Sequence, residues 1–367
     1  MKKIVALTLA TSVAAGLFLS GCAMNETSST SGSTGSNTSS GQREVNVCSW
    51  GEYIDTDLIT QFEEETGIKV NYNTAPSNEE LYSQLQTGGV NYDVIVPSDY
   101  MIARLIEEDM LQKLDYSKIP NYEKIGEQYK NLSFDPNNEY SVPYTWGTVG
   151  IIYNTKYVDE ADVGGWDLLW NEKYADKILM FSNPRDAFAI AEARLGYSLN
   201  TEDPDELQAA ADLLAEQTPV LQQYVMDQIY DLMDNEEAWI APYYAGDCML
   251  MMSENPDLAF YLPEEETFNT FIDAMCIPSC AENKYEAELF INFVTSPEIS
   301  GGNMDYIGYG TPVSAAKEHM DPEMAASTVA YPDEATLARG ESFGALSDDA
   351  QRLMDNLFDE VKARLGQ

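Results

Sequence analysis

The chain has few basic side chains and almost no histidine. Among 367 residues, 20 Lys and Arg stand against 62 Asp and Glu, a formal net charge of −42 at pH 7, and His319 is the single His. So few cations exclude nucleic acid as a partner and disfavour binding to an anionic lipid face, since both need clustered positive charge. One histidine leaves no metal-ligand spacing with the five cysteines and removes the side chain that general acid–base catalysis uses most. It lies beside Lys317, Glu318 and Met320, a surface-like setting. There is no Gly-x-Ser-x-Gly elbow, phosphate-binding loop or dinucleotide fingerprint. Beyond the N-terminus no apolar run is long enough to span a bilayer. Paired carboxylates could serve a glycoside hydrolase, but among 62 acids such pairs carry no information. The expectation is therefore no catalytic residue, no metal and no cofactor, with an exported hydrolase as the reading held in reserve.

What is present begins with an address. Lys2-Lys3 precede a short run of apolar and small residues, Ile4 to Leu19, which closes at Leu19-Ser20-Gly21-Cys22. A stretch this short with these flanks reads as a secretory signal over residues 1–22, not a membrane span. Its ending resembles a bacterial lipobox. That resemblance implies acylation of Cys22, palmitate included, and anchoring on the extracytoplasmic face of the cell membrane. Residues 23–42 are nearly all Ser, Thr, Gly and Asn and read as a flexible linker with a reach on the order of 25 Å. Outside the cytoplasm a Cys276–Cys280 disulfide is permitted, although buried free thiols are the expectation, above all for Cys48 inside a strand pattern.

About 325 residues follow, enough for two lobes. Val45 to Cys48 alternates as a strand, and Leu58, Ile59 and Phe62 fall at helical spacing behind Asp55 or Asp57. Gly67 stops that helix. Ile68 to Tyr72 is a second strand, Ser77-x-x-Glu80 a capping box, and Asp93 to Pro97 a third strand with Ser98 placed to cap the next helix. The order β-α-β-α-β-α implies an open, strongly parallel α/β sheet. A second unit begins near Gly150 to Asn154 and continues through a strand at Ile178 to Ser182 and helical stretches between Asp205 and Asn235. Ala274 to Pro278 is another short apolar run, and Glu286 to Val294 is an amphipathic helix.

Ligands of open α/β sheets sit at the carboxyl ends of strands. Trp50, Glu52 and Tyr53 follow the first strand; Ser98, Asp99 and Tyr100 follow the third. Tyr243, Tyr244 and Asp247, Phe271 and Asp273, and Tyr309 complete a set of aromatics and acids at loop starts. This mixture suits an organic cation, with carboxylates for ammonium groups and rings along methylenes. With 23 tyrosines in the chain, each residue alone could equally be half-buried core.

Three segments make the pattern specific: Ser49-Trp50-Gly51-Glu52-Tyr53, Tyr92 to Tyr100, and Phe134 to Tyr144. With Leu195-Gly196-Tyr197-Ser198, Ile291-Asn292-Phe293 and Tyr306 to Pro312, they resemble the spermidine/putrescine-binding proteins of bacterial ABC transporters over almost all of residues 43–367. The resemblance implies a two-lobed type II periplasmic-binding-protein fold, each lobe a mixed sheet flanked by helices, joined by hinge crossings. One lobe is expected from 43–147 and 271–317, the other from 148–270 and 318–367. It implies a monomer that takes putrescine or spermidine between the lobes and delivers it to a permease. Trp50 and Tyr53 would wall the cleft, Glu52, Ser98 and Tyr100 would line it, and Asp273 would grip an ammonium group. Tyr244 to Asp247 would supply a wall and a second acid, Tyr309 a ring near the hinge, and Asp186 an acid on the second lobe. Tyr244 and Phe271 stand where the family often has Trp, and Asn183 stands where spermidine-type members tend to carry an acid. Fewer acids there, with Asp247 at the other end, tilt the expectation toward putrescine. The alternatives are a ferric-iron protein, because Tyr243-Tyr244 is an adjacent pair, and an amino-acid-binding protein, for which only Arg104 and Arg185 offer a carboxylate clamp.

Overall fold

The structure, a computed structural model, describes residues 43–365. The signal, Cys22 and the linker lie outside the described residues. Among the described residues no helix is long and apolar enough to cross a membrane.

The first third folds as its pattern requires. Strand β1 (Glu44–Ser49) pairs in parallel with β2 (Lys69–Thr74) and β3 (Val94–Ile95). Helices α1 (Thr56–Thr66) and α2 (Asn78–Thr87) run between them, and α3 (Asp99–Glu107) follows β3. Asp55 caps α1 by accepting from the Asp57 amide, and Gly67 ends it at φ 67°, a left-handed turn that favours glycine. Ser77 accepts from the Glu80 amide, completing half of the expected capping box. Ser98 departs from expectation. It stands at the cap position of α3, but its hydroxyl makes no capping bond and instead accepts from Asn78 Nδ2 at 3.0 Å.

The fourteen-residue strand β4 (Ser141–Asn154) joins the two halves. Its first part, to Thr148, lies antiparallel to β9 (Thr270–Cys276), which in turn meets β3. Its second part pairs antiparallel with β7 (Ile240–Tyr244) and β8 (Leu258–Tyr261). Beyond β7 come β5 (Ile178–Phe181) and β6 (Leu221–Val225), parallel to one another, with β5 parallel to β7. The order is β2-β1-β3-β9-β4-β7-β5-β6. Two parallel groups of strands thus flank a shared antiparallel core, the two-lobed α/β architecture expected from the sequence.

Helices α4 (Pro184–Leu195), α5 (Pro204–Gln217) and α6 (Gln228–Asp234) cover the second group, and α7 (Ala245–Glu254) follows β7. The reading of residues 205–235 as helical is corrected by β6, which interrupts it: Val220 to Val225 was too short a run to register against the helical patterns on either side. Helix α8 (Lys284–Val294) packs on α1, with the Phe62 ring 5.3 Å from Phe290 and 5.4 Å from Phe293. After α9 (Pro297–Ile307) come two single turns, α10 (Pro322–Ala325) and α11 (Glu334–Leu337), and the long α12 (Asp348–Leu365), which packs on α4 and α5. Cys48, Cys248 and Cys276 are buried free thiols, and Cys280 is an exposed one.

Candidate functional site: an acidic, aromatic cleft

Five strands end at one cavity. Trp50, Glu52 and Tyr53 follow β1; Ser98 to Tyr100 follow β3; Phe271 and Asp273 lie on β9; Asn183 and Asp186 follow β5; Tyr244 and Asp247 sit where β7 enters α7. Together they line a cleft of about 630 Å³, closed by Tyr309 just past α9. All eleven residues singled out from the sequence, Trp50, Glu52, Tyr53, Ser98, Tyr100, Asp186, Tyr244, Asp247, Phe271, Asp273 and Tyr309, line it. His319 does not, and neither do Arg104 and Arg185, the two candidates for a carboxylate clamp. Arg104 pairs with Glu108 at 2.9 Å, and Arg185 is buried over Phe343, donating to Asn200.

The carboxylates are held by phenols and indole. Asp273 is 2 % exposed; its Oδ2 accepts from Trp50 Nε1 at 2.9 Å and Tyr53 OH at 2.6 Å. Its Oδ1 is buried with no hydrogen-bond partner. Asp186 accepts from Tyr244 OH at 2.6 Å and Asn183 Nδ2 at 2.9 Å. Asp247 accepts from Tyr230 OH at 2.6 Å and Tyr309 OH at 2.5 Å. The Tyr243-Tyr244 pair is therefore divided: Tyr244 serves Asp186 as a neutral donor, and Tyr243 stacks on Phe181 at 5.5 Å.

The rings form a connected wall. Tyr53 meets Tyr309 at 5.4 Å, Tyr309 meets Phe271 at 6.0 Å, and Phe271 meets Tyr244 at 5.7 Å, each edge-on. Such contacts lock rings whose faces can still receive a cation.

Burial sets the protonation of this site. Desolvation lifts Asp99 to about 8, Asp186 to about 7 and Asp247 to about 6, and raises Asp273 as well. Neighbouring acids add to it: Asp273 acts on Asp99, and Glu79 and Asp273 act on Asp186. Seven carboxylates line the cleft, those of Glu52, Asp99, Asp186, Asp227, Asp247, Glu254 and Asp273, with no Lys, Arg or His among the lining residues. No cluster of His, Cys, Asp and Glu suited to a metal ion occurs among the described residues. Such a cavity can hold an elongated organic cation.

Two glycines fix the geometry. A Cβ on Gly246 would lie 2.1 Å from the Tyr309 ring, and one on Gly147 2.8 Å from Phe271. Gly246→Ala must push Tyr309 off Asp247. It is expected to lower stability by about 1–3 kcal/mol, the usual cost of overpacking; an unchanged denaturant midpoint would show that the ring has room.

Sequence reasoning missed Asn78, Met226, Asp227, Tyr230, Glu254, Asn269 and Phe343, which also line the cleft. Met226 and Asp227 follow β6, so recognising that strand would have placed them at a strand end like the others. Phe343 lies in an irregular stretch before α12 that gives no periodic signal.

Two α/β halves bridged by a long strand, with a ligand-sized cleft between strand ends, are the architecture of a periplasmic binding protein. The chain belongs to the bacterial extracellular solute-binding proteins, whose family description matches residues 57–332. It is 34% identical over 316 residues to the spermidine/putrescine-binding periplasmic protein of Salmonella typhimurium, covering 86% of this chain and 90% of that one. Among solved structures, the spermidine/putrescine ABC transporter substrate-binding protein PotD of Streptococcus pneumoniae is 39% identical with a TM-score of 0.75, over 88% of this chain and 99% of that one. The Tp0655 (TpPotD) lipoprotein of Treponema pallidum is 27% identical with a TM-score of 0.78, over 88% and 100%.

Proposed function

We propose that this protein captures a polyamine, putrescine or spermidine, in the cleft and delivers it to the permease of an ABC transporter, without catalysing a reaction. The observation that carries this reading is the buried, unpartnered Oδ1 of Asp273 in a cavity lined by acids and rings and by no basic side chain. A buried acceptor without a donor costs free energy that a ligand ammonium would recover. In this reading Asp273 grips one ammonium and Asp186 or Asp247 another. Trp50, Tyr53, Tyr244, Phe271 and Tyr309 wall the methylenes, and Glu52, Ser98 and Tyr100 complete the lining. The relatives, named for binding spermidine and putrescine, support the same ligand class.

The mechanism is a population shift. A ligand that touches both halves only when they close drives closure by that difference in contact. Two charged hydrogen bonds at about 1.5–3 kcal/mol each, with cation–π terms of up to about 2 and apolar contact along the methylenes, reach the roughly 8 kcal/mol of a micromolar complex. Residues 43–147 with 271–317, and 148–270 with 318–367, are proposed as the two moving lobes of a monomer; the change of partner along β4 after Thr148 supports that division.

An anchor at Cys22 would hold this receptor at high local concentration beside its permease. The Cys22→Ser protein is expected to leave the membrane fraction; retention there would contradict the anchor. The ligand class is tested by thermal melting of the protein with putrescine, cadaverine, spermidine, spermine, ferric iron and acidic amino acids. Stabilisation by the amines alone supports the reading. A shift with iron and a visible tyrosinate absorption would replace it.

A further inference from the structure

Asp227 is an exposed carboxylate at the mouth of the cleft. It stands at the N-terminal boundary of α6, where an Asp ordinarily caps the helix, yet it makes no capping hydrogen bond. Its Oδ2 instead faces the opposite half of the molecule: a Cβ on Gly51 would lie 3.2 Å from it. Gly51 precedes Glu52, a second acid of the same mouth, and Asp227 is near enough to Asp247 to act on its charge. An ion pair at this mouth would therefore span both halves as they close, and the lining supplies acids there but no cation.

In the polyamine reading the interior takes two ammonium groups, one on the unpartnered oxygen of Asp273 and one on either Asp186 or Asp247. A cleft of about 630 Å³ falls within the roughly 300–1,000 Å³ of pockets that bury drug-sized ligands, so a longer amine is not excluded by size. We infer that Asp227, opposite Glu52, is a specificity-determining residue that receives the third ammonium of a triamine. This inference rests on the polyamine reading. It also revises the expected tilt toward putrescine, which weighed the acids near Asn183 and Asp247 and left out the mouth.

Calorimetry of the full-length protein in detergent, with putrescine and with spermidine, tests it on the wild type, Asp227→Asn and Gly51→Ala. Asp227→Asn keeps the side chain's shape and removes its charge, and Gly51→Ala crowds the same carboxylate. Each is expected to lower the spermidine-to-putrescine affinity ratio about three- to fivefold, the scale of a partly exposed ion pair, with the loss shrinking as salt rises. A ratio unchanged in Asp227→Asn, with the wild type binding both amines, overturns this inference alone. A wild type that binds neither amine overturns the polyamine reading and this inference with it.

Discussion

Asp273→Asn is expected to weaken polyamine binding ten- to a hundredfold while leaving the empty protein at least as stable. The two effects have opposite causes. In the empty protein the Asp273 carboxyl is buried, and burial raises its pKa, so its charged form is costly. Asparagine removes that cost and can still accept from Trp50 and Tyr53 through its remaining oxygen. Toward a ligand, however, its amide presents N–H groups where the ammonium needs an acceptor. Losing a charged hydrogen bond of about 1.5–3 kcal/mol corresponds to the stated range, at 1.4 kcal/mol per decade. Calorimetry with a parallel melting curve checks both. Affinity and melting temperature falling together would indicate a folding role, and unchanged affinity would remove Asp273 from the site.

The second large effect is with pH. Asp186 and Asp247 titrate in the empty cleft near 7 and 6, and Asp99 near 8, all raised by burial. A polyamine binds the ionised carboxyls, so binding must release the protons they hold. Affinity should fall at least tenfold between pH 8 and pH 5. Near pH 6.5 the binding enthalpy should vary with the ionisation enthalpy of the buffer, the signature of released protons. The empty protein follows the converse rule. Its carboxyls hold protons that the unfolded chain, with values near 4, has already lost. Their contribution to stability is therefore full at low pH and is lost as pH rises from about 4 to 8. The melting shift caused by ligand should grow over the same range. Affinity independent of pH, with no proton release, would mean that the ligand does not engage these carboxylates.

Much of this site was legible because parallel strands deliver their following residues to one edge. Trp50, Tyr53, Ser98 and Tyr100 were locatable from strand ends alone, Asp247 and Asp273 belonged to the set of acids at loop starts, and the family resemblance gave those two their roles and added Asp186. Hydrogen bonding was not legible. That Tyr244 donates to Asp186 within one half, and Tyr309 to Asp247 across the two, depends on contacts between residues far apart in sequence, which no local pattern encodes. Nor was Ser98's choice of Asn78 over its own helix, since a cap position fixes the backbone and leaves the hydroxyl free to turn. The five-residue strand β6, flanked by helices, hid Asp227. The N-terminal signal and Cys22 rest on sequence alone.

The cleft between the halves is proposed to take a polyamine on Asp273. Titration calorimetry of the full-length protein in detergent, with putrescine and spermidine at pH 8, tests it most directly. One site per chain with micromolar or tighter affinity is expected, weakened at least tenfold in Asp273→Asn. A flat titration with both amines for a folded wild type would contradict it.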